Sequence, residues 1–265
     1  IETLLTQDRP TIAVLGADIS GVADLSTLAD LRALDLKWVS VDISEDGSGV
    51  GAALAVSSAQ SVTSLGATLG TIALSNVHEN IGWVDKFDVA DTTEFQQPAF
   101  ANGDLVKDTA ESLINSLNDL GYLVLIKRQE ISGTFYLDSP QTTKADSDFA
   151  FIENSRTIQK AIRLSRQKLL PFINSPLYVD AVSGKLSEST IFGIESAVLN
   201  GLDQMAQAGE ISVNQATGKL PNGSVLIDPD QDVLATSQVV ITVKIVPVGV
   251  ARTIVVNIGF VPKIG

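Results

Sequence analysis

The chain closes on two runs in which apolar side chains occupy every second position. Val239, Ile241, Val243 and Ile245 alternate with Val240, Thr242, Lys244 and Val246. Ile254, Val256, Ile258 and Phe260 alternate in turn with Val255, Asn257, Gly259 and Val261. A period of two predicts β-strands over 239–246 and 253–261, joined by Pro247-Val-Gly-Val-Ala-Arg252. The intervening positions are themselves rich in apolar residues, so both faces of each strand need cover. The end of this chain is therefore predicted to be a β-strand pair.

Upstream, strand and helix signals alternate. Thr11-Ile-Ala-Val-Leu15, ending at Gly16, reads as a buried strand. Leu25, Leu28, Leu31 and Leu34 or Leu36 follow at helical spacing behind Asp24 and Ser26. Lys37-Trp-Val-Ser-Val41 is a second strand, and a small-residue helix comes next. This βαβα order predicts a parallel arrangement with helices on its faces. Val106, Ala110, Leu113, Leu117 and Leu120 form one helical face closed by Gly121. Tyr122-Leu-Val-Leu-Ile126 and Gly133-Thr-Phe-Tyr-Leu137 read as a hairpin. Two helices then run over 146–170, stopped by Pro171, and over 187–208, ended by Gly209. The expected fold class is α/β: a mixed sheet flanked by helices, with an N-terminal βαβα portion over 1–80 and a C-terminal portion over 81–265 that ends in the strand pair. Ile1 is not an initiator methionine, and the expectation is one compact domain that is a fragment of a longer protein.

Composition removes several function classes. There is no cysteine, so disulfides, thiolate metal sites and cysteine nucleophiles are absent. The single His78 excludes multi-histidine metal sites. A net charge of −13 opposes nucleic-acid binding through the overall field. Positions 47–78 carry no formal charge, but Ser57, Ser58, Gln60, Ser61, Thr63 and Ser64 interrupt the run, and Ala and Gly supply much of the rest. A small-residue helix lying close against other backbones is preferred to a membrane span.

The remaining motifs are weak. Gly47-Ser-Gly-Val-Gly51 stands where a dinucleotide loop would, but Leu54 occupies the third glycine of G-x-G-x-x-G. A turn feeding a helix fits better. Any catalytic triad would have to use His78, and no G-x-S-x-G elbow accompanies it, so His78 reads as a loop residue. Asp228-Pro-Asp-Gln-Asp232 starts like a calcium loop, yet Val233 and Val239 fill the positions that need Gly and Glu. It reads as an acidic turn. On the helix over 146–170, Arg156, Lys160 and Arg163 lie opposite Ile158, Ile162, Ser165 and Leu169. In an acidic chain this basic stripe is either a solvated face or a dock for an acidic neighbour, tuning register more than affinity. No catalytic, cofactor or metal site is expected.

Several segments together resemble the contractile tail sheath proteins of bacteriophages and related injection systems. They are Gly82-Trp-Val84, Pro98-Ala-Phe-Ala-Asn-Gly103, Gly133-Thr-Phe-Tyr-Leu-Asp-Ser-Pro140, Ser147-Asp-Phe149 and Asn154-Ser-Arg-Thr-Ile-Gln-Lys-Ala161. Asp228-Pro-Asp-Gln-Asp-Val-Leu-Ala-Thr-Ser237, Ile245-Val-Pro-Val-Gly249 and Arg252-Thr-Ile-Val-Val256 continue the series. The resemblance implies an α/β core packed in helical rings around an inner tube, with terminal strands joining a neighbour's sheet. A strand near a chain end has unpaired N–H and C=O groups that suit this role. Cover within the same molecule is the alternative. On this reading Val239, Ile241, Val243, Ile245, Ile254, Val256, Ile258 and Phe260 are subunit-interface positions. Arg156, Lys160 and Arg163 contact the tube or a neighbour. The implied partners are further copies of the subunit, an inner tube protein and baseplate or terminator proteins, without nucleic acid or membrane insertion. The implied setting is a virion tail, or the bacterial cytoplasm during assembly. The resemblance implies a structural, non-catalytic subunit that contracts to drive the tube through a membrane. The rival is a small-ligand or nucleotide-binding α/β enzyme domain.

Overall fold

Residues 11–256 are described in the computed structural model. β1 (Ala13–Gly16) and β2 (Val39–Asp42) pair in parallel, and β3 (Ser44–Asp46) follows directly. α1 (Gly49–Ser57) and α2 (Leu65–Leu74) come next, then β4 (Pro98–Phe100), antiparallel to β3. α3 (Glu111–Asp119) leads into β5 (Tyr122–Leu123), which completes a parallel sheet of order β1-β2-β5. β6 (Leu125–Ile126) and β7 (Phe135–Tyr136) form the predicted hairpin.

All five residues from Tyr122 to Ile126 are buried, because this stretch has a core on each face. Tyr122, Val124 and Ile126 pack with Ile43, Phe100, Val106, Ile114 and Leu117. Leu123 and Leu125 face the other way, onto Ile81, Tyr136 and Ile152. The expected single strand is thus two, changing partner at Val124 from β2 to β7.

The second half is built on α4 (Ile152–Leu169) and α5 (Glu188–Gln207), which pack along one another. Ser187 caps α5 by accepting the Thr190 N–H, and Gly209 leaves it at φ +70°. Ala161, Val198, Leu202, Met205 and Val225 form the core between these helices and β8 (Val225–Ile227). A short α6 (Val233–Thr236) precedes β9 (Ile241–Val243), antiparallel to β8.

Three further expectations change. Residues 25–36 make two 3-10 turns, Leu25–Thr27 and Leu31–Leu34, because Asp24 and Asp30 accept the N–H groups of Ser26 and Arg32 and close each turn locally. The helical face starting at Val106 is a 3-10 turn and then α3, divided by extended backbone at Thr109 and Ala110. The uncharged segment is two helices, and its packing is only partly close. Gly51 sits on Asp46 so tightly that an added Cβ would lie 2.5 Å from its Cβ, yet Gly66 and Gly70 face open space. α2 instead turns Thr68 and Thr71 inward and leaves Leu69 and Leu74 outside, while α1 exposes Val50, Leu54 and Val56. Among the described residues, no helix is long and apolar enough to cross a membrane.

Candidate assembly surface

The C-terminal strand pair is shorter than its pattern. β9 spans three residues, and residues 248–256 contain no strand. Ile254 and Val256 are exposed, at 78% and 71%, while Ile258 and Phe260 lie outside the described residues.

The register of β9 fixes which way its backbone points. The Lys244 N–H donates to the Ser224 carbonyl at 2.8 Å, so even-numbered residues bond toward β8. Alternation in an antiparallel ladder then turns the N–H and C=O groups of Ile241, Val243 and Ile245 to the opposite edge. Among the described residues no strand stands on that edge, since the sheet contains only β8 and β9. The side chains divide differently. Those of Ile241, Val243 and Ile245 rest on the α4–α5 core, and Val239 packs with Ile194 and Ile227. The outward face carries Val240, Thr242, Lys244 and Val246. Hence Ile241, Val243 and Ile245, expected as subunit-interface positions, turn their side chains into their own molecule and leave backbone groups on the open edge.

A groove of about 640 Å³ runs along this edge, between α4 and β9. Ile158, Ile162, Leu169, Val243 and Ile245 line it, with Phe149 at one end. Ile162, on the side of α4 opposite the cations, is exposed into this groove.

Past the end of β8, the Gln231 side chain substitutes for a strand partner. It accepts the Val240 N–H at 2.6 Å and donates to the Val240 carbonyl at 2.8 Å. The surrounding acidic turn is structural. Asp228 accepts the Asp230 N–H, Asp232 caps α6 through Ala235, and Lys185 pairs with Asp230 at 2.5 Å. Among the described residues, no group of three potential ligands could hold a metal ion.

The three cations of α4 do not form a free stripe. Arg156 donates to the Ser75 hydroxyl at 2.6 Å, the Ser75 carbonyl at 2.9 Å and the Asn76 carbonyl at 3.2 Å. It thereby satisfies the C-terminal end of α2, where the helix dipole favours a cation. Lys160 pairs with the nearly buried Glu210 at 2.5 Å. Arg163 is exposed.

The glycine loop carries a ligand of its own. Glu94 Oε2 accepts the Val50 N–H at 3.0 Å in the first turn of α1, and Gly49, at φ +53°, lies against the same carboxylate. A side-chain anion therefore occupies the position a nucleotide phosphate would need. Asp42 marks the other concentration of polar groups. It accepts the Ser44 N–H at 2.8 Å, the Ser64 hydroxyl at 2.8 Å and the Thr68 hydroxyl at 2.7 Å, and Thr68 contacts the Tyr136 hydroxyl at 2.8 Å. Burial pushes the Asp42 and Tyr136 pKa values up. Asp42 has no exposed surface, and protein groups close around it, so it acts as a structural node. His78 stands in the turn after α2 with Nδ1 buried and without a hydrogen-bond partner among the described residues.

Residues 148–265 match the family model described as the DUF2586 C-terminal domain. No curated protein matches the chain. The chain is similar to a protein of the anti-feeding prophage (AFP) baseplate, at 17% identity and a TM-score of 0.59, over 97% of this chain and 62% of that one. It is similar to a protein of the AFP helical sheath in the contracted state, at 15% identity and a TM-score of 0.61, over 97% and 64%. It is also similar to a protein of the contracted PVC sheath complex of an extracellular contractile injection system, at 11% identity and a TM-score of 0.61, over 94% and 63%. The chain spans somewhat under two thirds of the length of each. Over 94–97% of its length, this chain shares its fold with proteins of the sheaths and baseplates of contractile injection systems.

Proposed function

We propose that the chain is a structural, non-catalytic subunit of a contractile sheath. Copies assemble helically around an inner tube and, on contraction, drive it through a membrane. The observation that carries this reading is the likeness to the contracted AFP sheath protein over 97% of this chain. Two features of the molecule support it. The edge of β9 at Ile241, Val243 and Ile245 offers backbone groups to an added strand, and the apolar residues Ile254 and Val256 stand exposed as candidate donors to another copy. The surface of α1 and α2 carries no charge on a chain of net charge −13, so copies repel each other least there.

On this reading the body, rigid around its α4–α5 and β5–β6 cores, moves as a unit between two lattices, and strand joints act as hinges. Further copies, an inner tube protein and baseplate proteins are the partners, with Arg163 available to the tube or a neighbour. The assembled particle is a phage-like tail, built in the bacterial cytoplasm.

Negative-stain micrographs of the protein at its natural length, alone and co-produced with its neighbouring gene products, test the proposal. Rings or tubes are expected. A uniform monomer across salt and protein concentrations overturns it.

A further inference from the structure

After β9 the chain crosses the body as a strap. Val248 and Val250 are half-buried, and Pro247, Gly249 and residues 251–256 are exposed. One side chain of this strap reaches a buried polar cluster. Arg252 Nε donates to Asp138 Oδ2 at 2.7 Å, and its Nη2 donates to Glu153 Oε1. The guanidinium carbon also lies 3.5 Å from the centroid of the Phe151 ring. This is a fork on two carboxylates with an aromatic floor, an arrangement that lysine cannot reproduce.

The receiving carboxylates are also held by residues of the body. Asn80 Nδ2 donates to Asp138 Oδ1 at 2.6 Å, to Ser139 Oγ at 3.1 Å and to Glu153 Oε1 at 3.2 Å. The Ser139 hydroxyl donates to Glu153 Oε2, and its N–H to Asp138 Oδ1 at 2.8 Å. The side chains of Asp138 and Glu153 are 9% and 2% exposed. Two buried carboxylates side by side need a cation, and burial pushes the Glu153 pKa up against the pull of Arg252. Arg32 assists at a distance, 5.7 Å from the same Phe151 ring. The cluster therefore joins the loop after α2 (Asn80), the segment just past β7 (Asp138) and the first turn of α4 (Glu153) to a residue far along the chain.

We infer that Arg252 is the anchor of the C-terminal arm: its clamp on Asp138, Glu153 and Phe151 fixes where the arm leaves the body and in which direction residues 253–256 are presented. The anchor itself rests on contacts within one molecule. Its use, presenting the arm already oriented so that less freedom is lost when a neighbour takes it up, rests on the sheath reading.

The chain has no cysteine, so Val256→Cys gives a unique site for a nitroxide spin label, four residues beyond the anchor. In the otherwise unaltered protein the label is expected to tumble slowly. In Arg252→Ala its correlation time is expected to fall several-fold, toward the motion of a free terminus, with Arg252→Lys between. Because Arg252→Ala leaves two buried acids unpaired, the isosteric pair Asp138→Asn with Glu153→Gln provides a second route to the same release. Unchanged label mobility in both backgrounds, each shown folded by circular dichroism, overturns the inference. If the label responds while the unaltered protein forms no particle, the anchor stands and the sheath reading fails.

Discussion

The polarity of the β9 edge makes a prediction that separates assembly from folding. Val243→Pro removes one N–H, on the side facing away from β8, where the ladder with Leu226 and Ser224 is untouched. Proline is tolerated on a sheet edge when its missing N–H faces outward. The cost to the isolated subunit should stay near ~1 kcal/mol, which for a chain of this size is about 2–4 °C in melting temperature. A strand added along 241–245 would use the N–H and C=O groups of Ile241, Val243 and Ile245. The proline deletes one of those bonds, and its ring pushes away the carbonyl that would have paired there, weakening the adjacent bond. At about 1 kcal/mol net per bond the joint loses about 2 kcal/mol, roughly a thirtyfold rise in the concentration needed for assembly. Thr242→Pro is the mirror experiment. Its lost N–H faces Leu226, so it breaks the chain's own hairpin at ~3 kcal/mol or more, and melting falls by about 6–12 °C. Thermal melts by circular dichroism and a sedimentation assay over a concentration series measure the two effects. The reasoning is refuted if Val243→Pro assembles at the concentration of the unaltered protein, or if it melts as low as Thr242→Pro.

Two further predictions concern charged groups. Glu45 on β3 has a pKa raised from 4.5 to about 7, first by burial and then by neighbouring Asp46. A carboxyl whose folded pKa is raised binds its proton more tightly in the folded state. Its favourable contribution is therefore complete below 4.5 and is lost as pH rises through about 7. Glu45→Gln should match the unaltered protein in urea midpoint at pH 4 and exceed its stability at pH 8 by about 1–3 kcal/mol, allowing for partial solvent screening; equal stability at pH 8 would contradict the assignment. On α4, Lys160→Glu places an acid against Glu210, whose side chain is 8% exposed, and should destabilise the subunit by about 1–3 kcal/mol. Arg163→Glu should leave the melt unchanged and weaken assembly, whereas normal particle yield would remove Arg163 from any contact.

Much of the fold was legible because its signals are local. Ser187, Gly121 and Gly209 mark helix ends through chemistry carried within a turn, and the β6–β7 hairpin follows from two short apolar runs. What failed was the assumption that leucines at helical spacing suffice for a helix. Between 25 and 36 the aspartates close 3-10 turns before a helix can propagate. The inward side of α2 is polar for a related reason. Asp42 is buried under the helix and must be satisfied, so Ser64 and Thr68 turn inward and leucines are left outside. No periodicity in 65–74 records that demand, which originates on a strand more than twenty residues earlier.

The candidate assembly surface was legible in a narrower sense. Alternation along 239–246 identifies which side chains share a face, and those of Ile241, Val243 and Ile245 do share one, against α4 and α5. It is silent about the strand's two edges, because hydrogen bonds lie in the plane of the sheet and side chains lie across it. Only the register with β8 shows which edge is left. The basic stripe illustrates the same gap from another direction. A helical wheel places Arg156, Lys160 and Arg163 together, but long side chains reach groups at Ser75 and Glu210 that the wheel does not contain. Arg252 had a readable signal that period-two counting passed over. It is the sole charged residue between Lys244 and Lys263. A lone guanidinium in an apolar run must either stay in water or find buried acids, and Asp138 and Glu153 are buried acids that need a cation. The two ends of that requirement, more than ninety residues apart, predict each other once both are seen as unpaired.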